Sequence, residues 1–303
     1  MSLVAIVLQP FILIALGFLL SKHRLFPRSL WDGVEVLVYY VVFPPLLFNS
    51  VAKATLTVSD TSLFLMGGVA SMSLGILWSW LVSKIAPADR ATDASIRQCG
   101  YRFNSYIGFA IVLALYGETG FALFALLMGV WVPISNAVAV ADLAAATQKH
   151  GQGFLSLLSS ILKNPLILAT LAGLFFNVFG LSMPAWIDGV FSSLGSASLA
   201  LALMAIGAGL KIDDFQAHRL LMGLATVQRL IVVPAVSVWI GRYLGLEAIE
   251  IGALLCFTAL PTANSCYILA VRMGGNGPAV ADLTTLQTLC SLVTIPFWMW
   301  VVS

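Results

Sequence analysis

One pattern constrains this chain more than any other: apolar stretches of membrane-crossing length recur from end to end, joined by short polar connections. A bilayer core asks for about 20 apolar residues per helix. Ten segments reach or approach that length, at roughly 3–21, 34–51, 62–83, 100–116, 121–141, 164–180, 189–210, 220–240, 249–271 and 283–302. Of the 303 residues, 60% are hydrophobic and 9% charged, where a soluble globular domain carries about 25% charged. A water-soluble fold cannot hide that much apolar surface, so the expected class is an all-α polytopic membrane protein with ten transmembrane helices and the lipid bilayer as its surroundings. The longest polar connection, Asp142 to Lys163, leaves no room for a soluble domain.

Charge matters here by position. The net charge of +2 and the lack of any continuous basic stripe argue against nucleic acid as a partner. Sorted by loop, Lys22, Arg24, Arg28, Lys84, Arg90, Arg97, Lys149, Lys163, Lys211, Arg219 and Arg272 fall at odd-numbered connections, and only Lys53 and Arg242 at even ones. That asymmetry places the odd connections in the cytoplasm and both termini outside, as expected for a multi-pass protein of a cytoplasmic (inner) membrane. The run Leu3 to Leu20 has no basic residue before it and Lys22-His23-Arg24 after it, which reads as a first membrane helix rather than a cleaved signal peptide. Cys99, Cys256, Cys266 and Cys290 lie in or beside apolar stretches without ligand-like spacing, and His23, His150 and His218 fall in connections. No metal and no cofactor is expected.

Laying the second half on the first gives three ordered matches. Gln9-Pro10 and the following FILIALGFLL pair with Asn164-Pro165 and LILATLAGLFF; Asn104-Ser105-Tyr106 pairs with Asn264-Ser265-Cys266; VWVPI around Pro133 pairs with VTIPF around Pro296. The offsets are 155, 160 and 163 residues. The organisation read from them is a first five-helix repeat at 1–150 and a second at 151–303. An odd number of helices per repeat sends the second copy into the membrane from the opposite side, an inverted-topology plan in which the substrate site lies near the midplane.

Helices four and nine carry the least helix-friendly sequences: GYRFNSYIGFAI, with Asn104 and Ser105, and FTALPTANSCYI, with Pro261, Thr262, Asn264 and Ser265. Proline removes a backbone donor and clashes one turn back; Asn and Ser offer the chain competing hydrogen bonds. Unwound backbone at membrane depth persists only where it is buried in protein or lines a cavity. The two helices are therefore expected to break and cross, with the site at the Asn-Ser pairs. Half-helices beginning there would aim free N–H groups and positive dipole ends at one spot, which favours an anion.

Arg229 falls near the middle of helix eight, where a charge is expensive and marks a candidate site. Glu35, Asp142, Glu250 and Asp282 fall towards helix ends, so its partner is either a carboxylate supplied by substrate or, alternatively, carbonyl oxygens or Asn side chains. Arg102, nearer the cytoplasmic end of helix four, can bind substrate or snorkel. The lack of central acids weakens a sodium-symport reading, since hard cations prefer carboxylate and carbonyl oxygens. No HExxH, GxSxG or GxGD occurs, nor a pair of acids placed for acid–base chemistry at membrane depth, so an enzyme is not expected. A receptor without transport would need a signalling domain, for which there is no room.

These residues resemble the bacterial branch of the auxin efflux carrier family, which includes malonate- and malate-carrier-like members. The resemblance runs over nearly the whole chain and rests on VLVYYVVFPPLLF, YRFNSYIGF, NPLILATLAGLFFNVFG, SLALALMAIGAGL and ALPTANSCYILAVRMGG in that order. It implies a scaffold of helices one, two, six and seven, and a mobile transport unit of helices three to five and eight to ten. The family's crossover asparagines match Asn104 and Asn264. What it implies functionally is a secondary transporter of a small organic anion, a carboxylate such as malonate, malate or an auxin-like acid, moving by an elevator-type displacement without needing sodium. It also allows a homodimer through the scaffold helices. The long central loop of plant members is missing here. The ten-helix plan is similar, too, to sodium-coupled bile-acid-type carriers, which a sodium-gradient test separates.

Overall fold

A computed structural model describes residues 3–54, 58–147, 164–210 and 218–302, and among these no strand occurs. Lys149, His150, Lys163 and Lys211, and the expected boundary between repeats at 150/151, lie outside the described residues. In chain order the helices are α1 (Leu3–Ser21), α2 (Arg28–Ala52), α3 (Val58–Ile85), α4 (90–116), α5 (118–147), α6 (Pro165–Val178), α7 (Ala185–Gly209), α8 (Arg219–Tyr243), α9 (248–272) and α10 (Gly277–Val302). Among the described residues six helical stretches suffice, by length and composition, to cross a membrane: α2, α3, the stretch holding α4 and α5, α7, α8 and α10. Shorter apolar helices occupy Leu8–Ser21, Pro165–Val178 and Ala248–Thr258.

Several helices start earlier than their apolar residues suggest. Helix α2 begins at Arg28 rather than 34, α4 at Arg90 rather than 100, and α10 at Gly277 rather than 283. Apolar length measures only the part of a helix facing lipid or core. Charged turns such as Arg28-Asp32-Glu35 and Arg90-Asp93-Arg97 continue the helix beyond it. The first turn of α4 is held by Asp89, whose side chain accepts from the Thr92 backbone N–H at 3.0 Å, a standard N-cap. The opening segment of α4 ends at Arg97, paired through two hydrogen bonds of 2.7 and 2.6 Å with Asp142 of α5.

Two helices open into a π turn one turn before a proline. In α2, Val38–Val42 is π-helical ahead of Pro44 and Pro45; in α8, Gln228–Val232 is π-helical ahead of Pro234. Proline has no N–H and its ring crowds the carbonyl four residues back, so the wider turn relieves both problems. In α8 the carbonyl four residues before Pro234 is that of Leu230, and the buried indole N–H of Trp298 donates to it at 2.8 Å.

Close backbone approach welds α1 to α7. A Cβ on Gly17 would land on the Met204 carbonyl, and one on Gly207 on the Ile14 carbonyl. Helix α6 is joined to α2 in a similar way: a Cβ on Gly173 would lie 2.7 Å from the Phe48 oxygen. The Asn177 side chain also donates to the carbonyls of Val51, Ala52 and Ala54 at the end of α2. Across α2 and α7, Asn49 and Lys53 both bond Asp188, at 3.1 and 2.6 Å. Between α4 and α5, Gly117 adopts φ 61° and ψ −158°, a conformation open only to glycine, and so splits one continuous helical run into two elements.

Candidate functional site

Both helices singled out in the sequence are broken. In α4 a helix over Arg90–Arg97 tightens into a 3-10 turn over Gln98–Gly100, the chain runs non-helically through 101–104, and helix resumes at Ser105. In α9 helix stops at Thr258, residues 259–263 are unwound, and helix resumes at Asn264. The breaks pack on each other and satisfy one another's backbone. The Asn104 N–H donates to the Pro261 carbonyl at 2.9 Å; the Thr262 hydroxyl donates to the Cys99 carbonyl at 2.8 Å; and the Gln98 amide donates to the Cys266 carbonyl at 3.2 Å. Buried peptide groups must find partners, and here each break supplies them to the other. The side-chain oxygen of Gln287 of α10 accepts from the Thr262 backbone N–H at 3.0 Å and lies 2.7 Å from the Thr262 hydroxyl, as a second acceptor beside the Cys99 carbonyl for its single proton.

On the other side of the crossing lies a cavity of about 680 Å³. Arg102, Asn104, Ser105, Asn264 and Ser265 line it, so five of the eight residues expected at a site share one wall. The first turns of the half-helices 105–116 and 264–272 both begin at this wall. Asn104 is 4% exposed, and its side-chain oxygen takes the Ile107 N–H at 3.4 Å. Among the described residues the Arg102 guanidinium bonds only neutral groups, the Gln98 side-chain oxygen at 2.7 Å and the Ser265 hydroxyl at 3.0 Å. Two helix N-termini and an arginine whose charge meets no acid at bonding distance make an environment that favours an anion. The opposite wall belongs to α2, α5, α6 and α7, through Asp32, Glu35, Tyr39, Ser135, Asn136, Asn164, Ala205 and Ile206 among others.

Three expected residues lie elsewhere. Pro261 and Thr262 are buried behind the crossing and build it rather than line the cavity. Arg229 is fully buried and also outside the cavity wall. Its guanidinium donates to the carbonyls of Leu260, at 2.7 Å, and Phe257, at 3.4 Å, and lies against the Met72 sulfur at 3.6 Å. The Phe257 carbonyl lies in the last turn of the half-helix Ala248–Thr258, where oxygens lose their intrahelical donors, and the Leu260 carbonyl in the unwound segment that follows. The carbonyl alternative therefore accounts for this intramembrane charge.

Reasoning from sequence did not reach the opposite wall. Glu35 on that wall, and Arg272 at the far end of the α9 half-helix, line the cavity, whereas in the sequence they read as a helix-end charge and a connection charge. The signal that could have found them is spacing: Glu35 falls two turns inside a helix that starts at Arg28, and Arg272 two turns after Ser265 on one half-helix. Among the described residues no group of three His, Cys, Asp or Glu comes together as a metal site needs.

Comparison with known proteins gives one consistent result. The profile of a family described as membrane transport protein matches residues 2–143 and 152–299. The uncharacterized transporter YfdV of Escherichia coli (strain K12) is 24% identical over 302 residues, covering 96% of this chain and 94% of that protein. An uncharacterized transporter of Methanothermobacter thermautotrophicus is 22% identical over 305 residues, covering 96% of each chain.

Proposed function

This chain belongs to the membrane transport protein family, the auxin efflux carrier family of the resemblance above, and from that premise we propose that it is a secondary transporter of a small organic anion. The observation that carries the reading is the shared cavity wall, where two half-helix N-termini, Asn104, Asn264 and the acid-free Arg102 meet. The cargo is a carboxylate such as malonate or malate, bound at the crossover of α4 and α9. The two halves, 1–150 and 151–303, form inverted five-helix repeats, with both termini outside the cytoplasmic membrane and the cavity opening towards the cytoplasm. A homodimer through the scaffold helices fits the same plan.

The bonding pattern supports an elevator-type motion. The links described above fall into two sets. Helices α1, α2, α6 and α7 are joined by Gly17, Gly207, Gly173, Asn177 and Asp188. Helices α3, α4, α5, α8, α9 and α10 are joined by Arg97–Asp142, by Gln228 to the Gly75 carbonyl and Ser79, and by the bonds of Arg229, Thr262 and Trp298. Where the sets meet, ring contacts of Phe43 with Tyr106 and Phe109 occur at centroid distances of 5.0 and 5.1 Å. Such apolar contacts are non-directional and lose little when one body slides on the other, whereas a hydrogen-bonded seam would have to break.

The test is uptake of malonate and malate by purified protein in liposomes. Wild type should show flux, and Asn104→Ala and Asn264→Ala should abolish it with folding intact. Wild-type uptake by both variants would sink the site. Running the assay with and without a sodium gradient separates this carrier from a sodium-coupled bile-acid-type symporter.

A further inference from the structure

The cavity holds one acid that nothing in the site pairs. Asp32 is matched with Arg28 at 3.0 Å, and Arg28 also donates to the Ala208 carbonyl at 3.1 Å. Glu35, one turn further along α2, lines the cavity but has no hydrogen-bond or ion-pair partner among the described residues. The charged and titratable groups that share the cavity wall with it are Asp32, Tyr39 and Tyr40 from its own helix, Arg102 and Tyr106 from α4, and Arg272 from α9, with Arg28 beside the wall on Asp32. Helices α5, α6 and α7 contribute only neutral side chains to the wall.

An unpaired carboxylate is an odd neighbour for a site that favours anions. Arg102 and Arg272 line the same cavity as Glu35. When an anion enters, it adds a like charge to the cavity that Glu35 lines, and that change favours the protonated carboxyl. We propose that Glu35 is a proton-linked residue of this cavity, ionised when it is empty and protonated when an anion is bound. The inference rests on the carrier reading above and adds to it a control. Because α2 belongs to the body opposite the broken helices, Glu35 stays at one membrane face, and the pH at that face sets how readily the cavity loads.

The sign follows from reciprocity: if the anion raises Glu35's proton affinity, protonation raises the affinity for the anion by the same factor. Loading therefore tightens as pH falls, by at most tenfold per pH unit for a single linked proton. Gln at position 35 mimics the protonated form and should bind anion well at every pH.

The experiment compares malonate uptake by wild type and Glu35→Gln in liposomes from pH 5 to pH 8, with equal pH on both sides. Titration of malonate itself affects both proteins alike and cancels in the ratio of their KM values. Wild-type KM should exceed that of Glu35→Gln by about five-fold or more at pH 8, and the ratio should approach one at pH 5. Glu35→Ala, which also removes the charge, should shift the same way, and Glu35→Asp should restore the pH dependence. A ratio constant across the range, with flux present, overturns the role of Glu35 alone. Absence of malonate flux in every protein at every pH overturns the carrier reading for this probe and the proposal with it.

Discussion

Replacing Arg229 with Met separates two roles an intramembrane arginine can have. Met matches much of the aliphatic stem and removes the guanidinium that bonds Leu260 and Phe257 at 2.7 and 3.4 Å. Each carbonyl left buried without a donor costs about 1–3 kcal/mol, so two cost about 2–6 kcal/mol. Removing the cation returns part of its own desolvation penalty, which brings the expected net loss to about 2–4 kcal/mol. By the scaling of domains of 150–250 residues, about 2–4 °C for each kcal/mol, the thermal midpoint in detergent should fall by several degrees or more. Arg229→Lys keeps the charge but not the fork of donors, and should fall between Met and wild type. A group that acts on substrate behaves oppositely, losing flux with the fold unchanged. A wild-type midpoint for Arg229→Met together with abolished uptake would refute the carbonyl-clamp argument.

Other perturbations test single helix joints and caps. Gly207→Ala places a methyl on the Ile14 carbonyl and should lower stability by about 1–3 kcal/mol, as over-packing does, read from the same thermal scan. Asn177→Leu strips donors from three carbonyls at the end of α2 and should cost about 1–3 kcal/mol, with protection of amides 48–54 from hydrogen exchange reduced first. Asp89→Ala removes the N-cap of α4 and should cost about 0.5–2 kcal/mol. The Thr92 hydroxyl and backbone N–H hold the Asp89 carboxyl below the usual carboxylate range. Its contribution is therefore fully present above the unfolded pKa of about 3.9 and is lost as pH falls through the lower folded value. Midpoints of Asp89→Ala and wild type should differ at pH 7 and converge in strong acid.

The parts of this molecule legible in the sequence are those governed by local chemistry. Apolar length found the helices, and Pro261 with two Asn-Ser pairs located the breaks, because an unwound turn needs residues that tolerate losing helical bonds. What the sequence hid depends on which way a helix turns. Arg229 reads as a site because charge is costly in a membrane, but its partners are carbonyls exposed by a break 28 to 31 residues later, which no local pattern encodes. Glu35 reads as an end-of-helix charge because the apolar stretch of α2 starts near it, although the helix itself begins at Arg28. Thr262 reads as a site residue because it lies in the break of helix nine, while its hydroxyl turns away from the cavity to Cys99 and Gln287.

That last orientation bears on how a site can be made from unwound backbone without destabilising the protein. The crossing has two faces with divided duties. Its inner face is closed: Thr262, Gln98, Gln287 and Arg229 supply hydrogen bonds at Cys99, Cys266, Thr262 and Leu260, so the breaks are held rigid from behind. Its outer face is open, with Asn104, Ser105, Asn264 and Ser265 presented to the cavity. A ligand approaching that face meets groups already oriented, so little ordering cost is left for binding to offset. Substitutions behind the crossing should therefore act on stability and those in front on flux, and a variant such as Thr262→Val should lower the thermal midpoint before it alters the affinity for any anion.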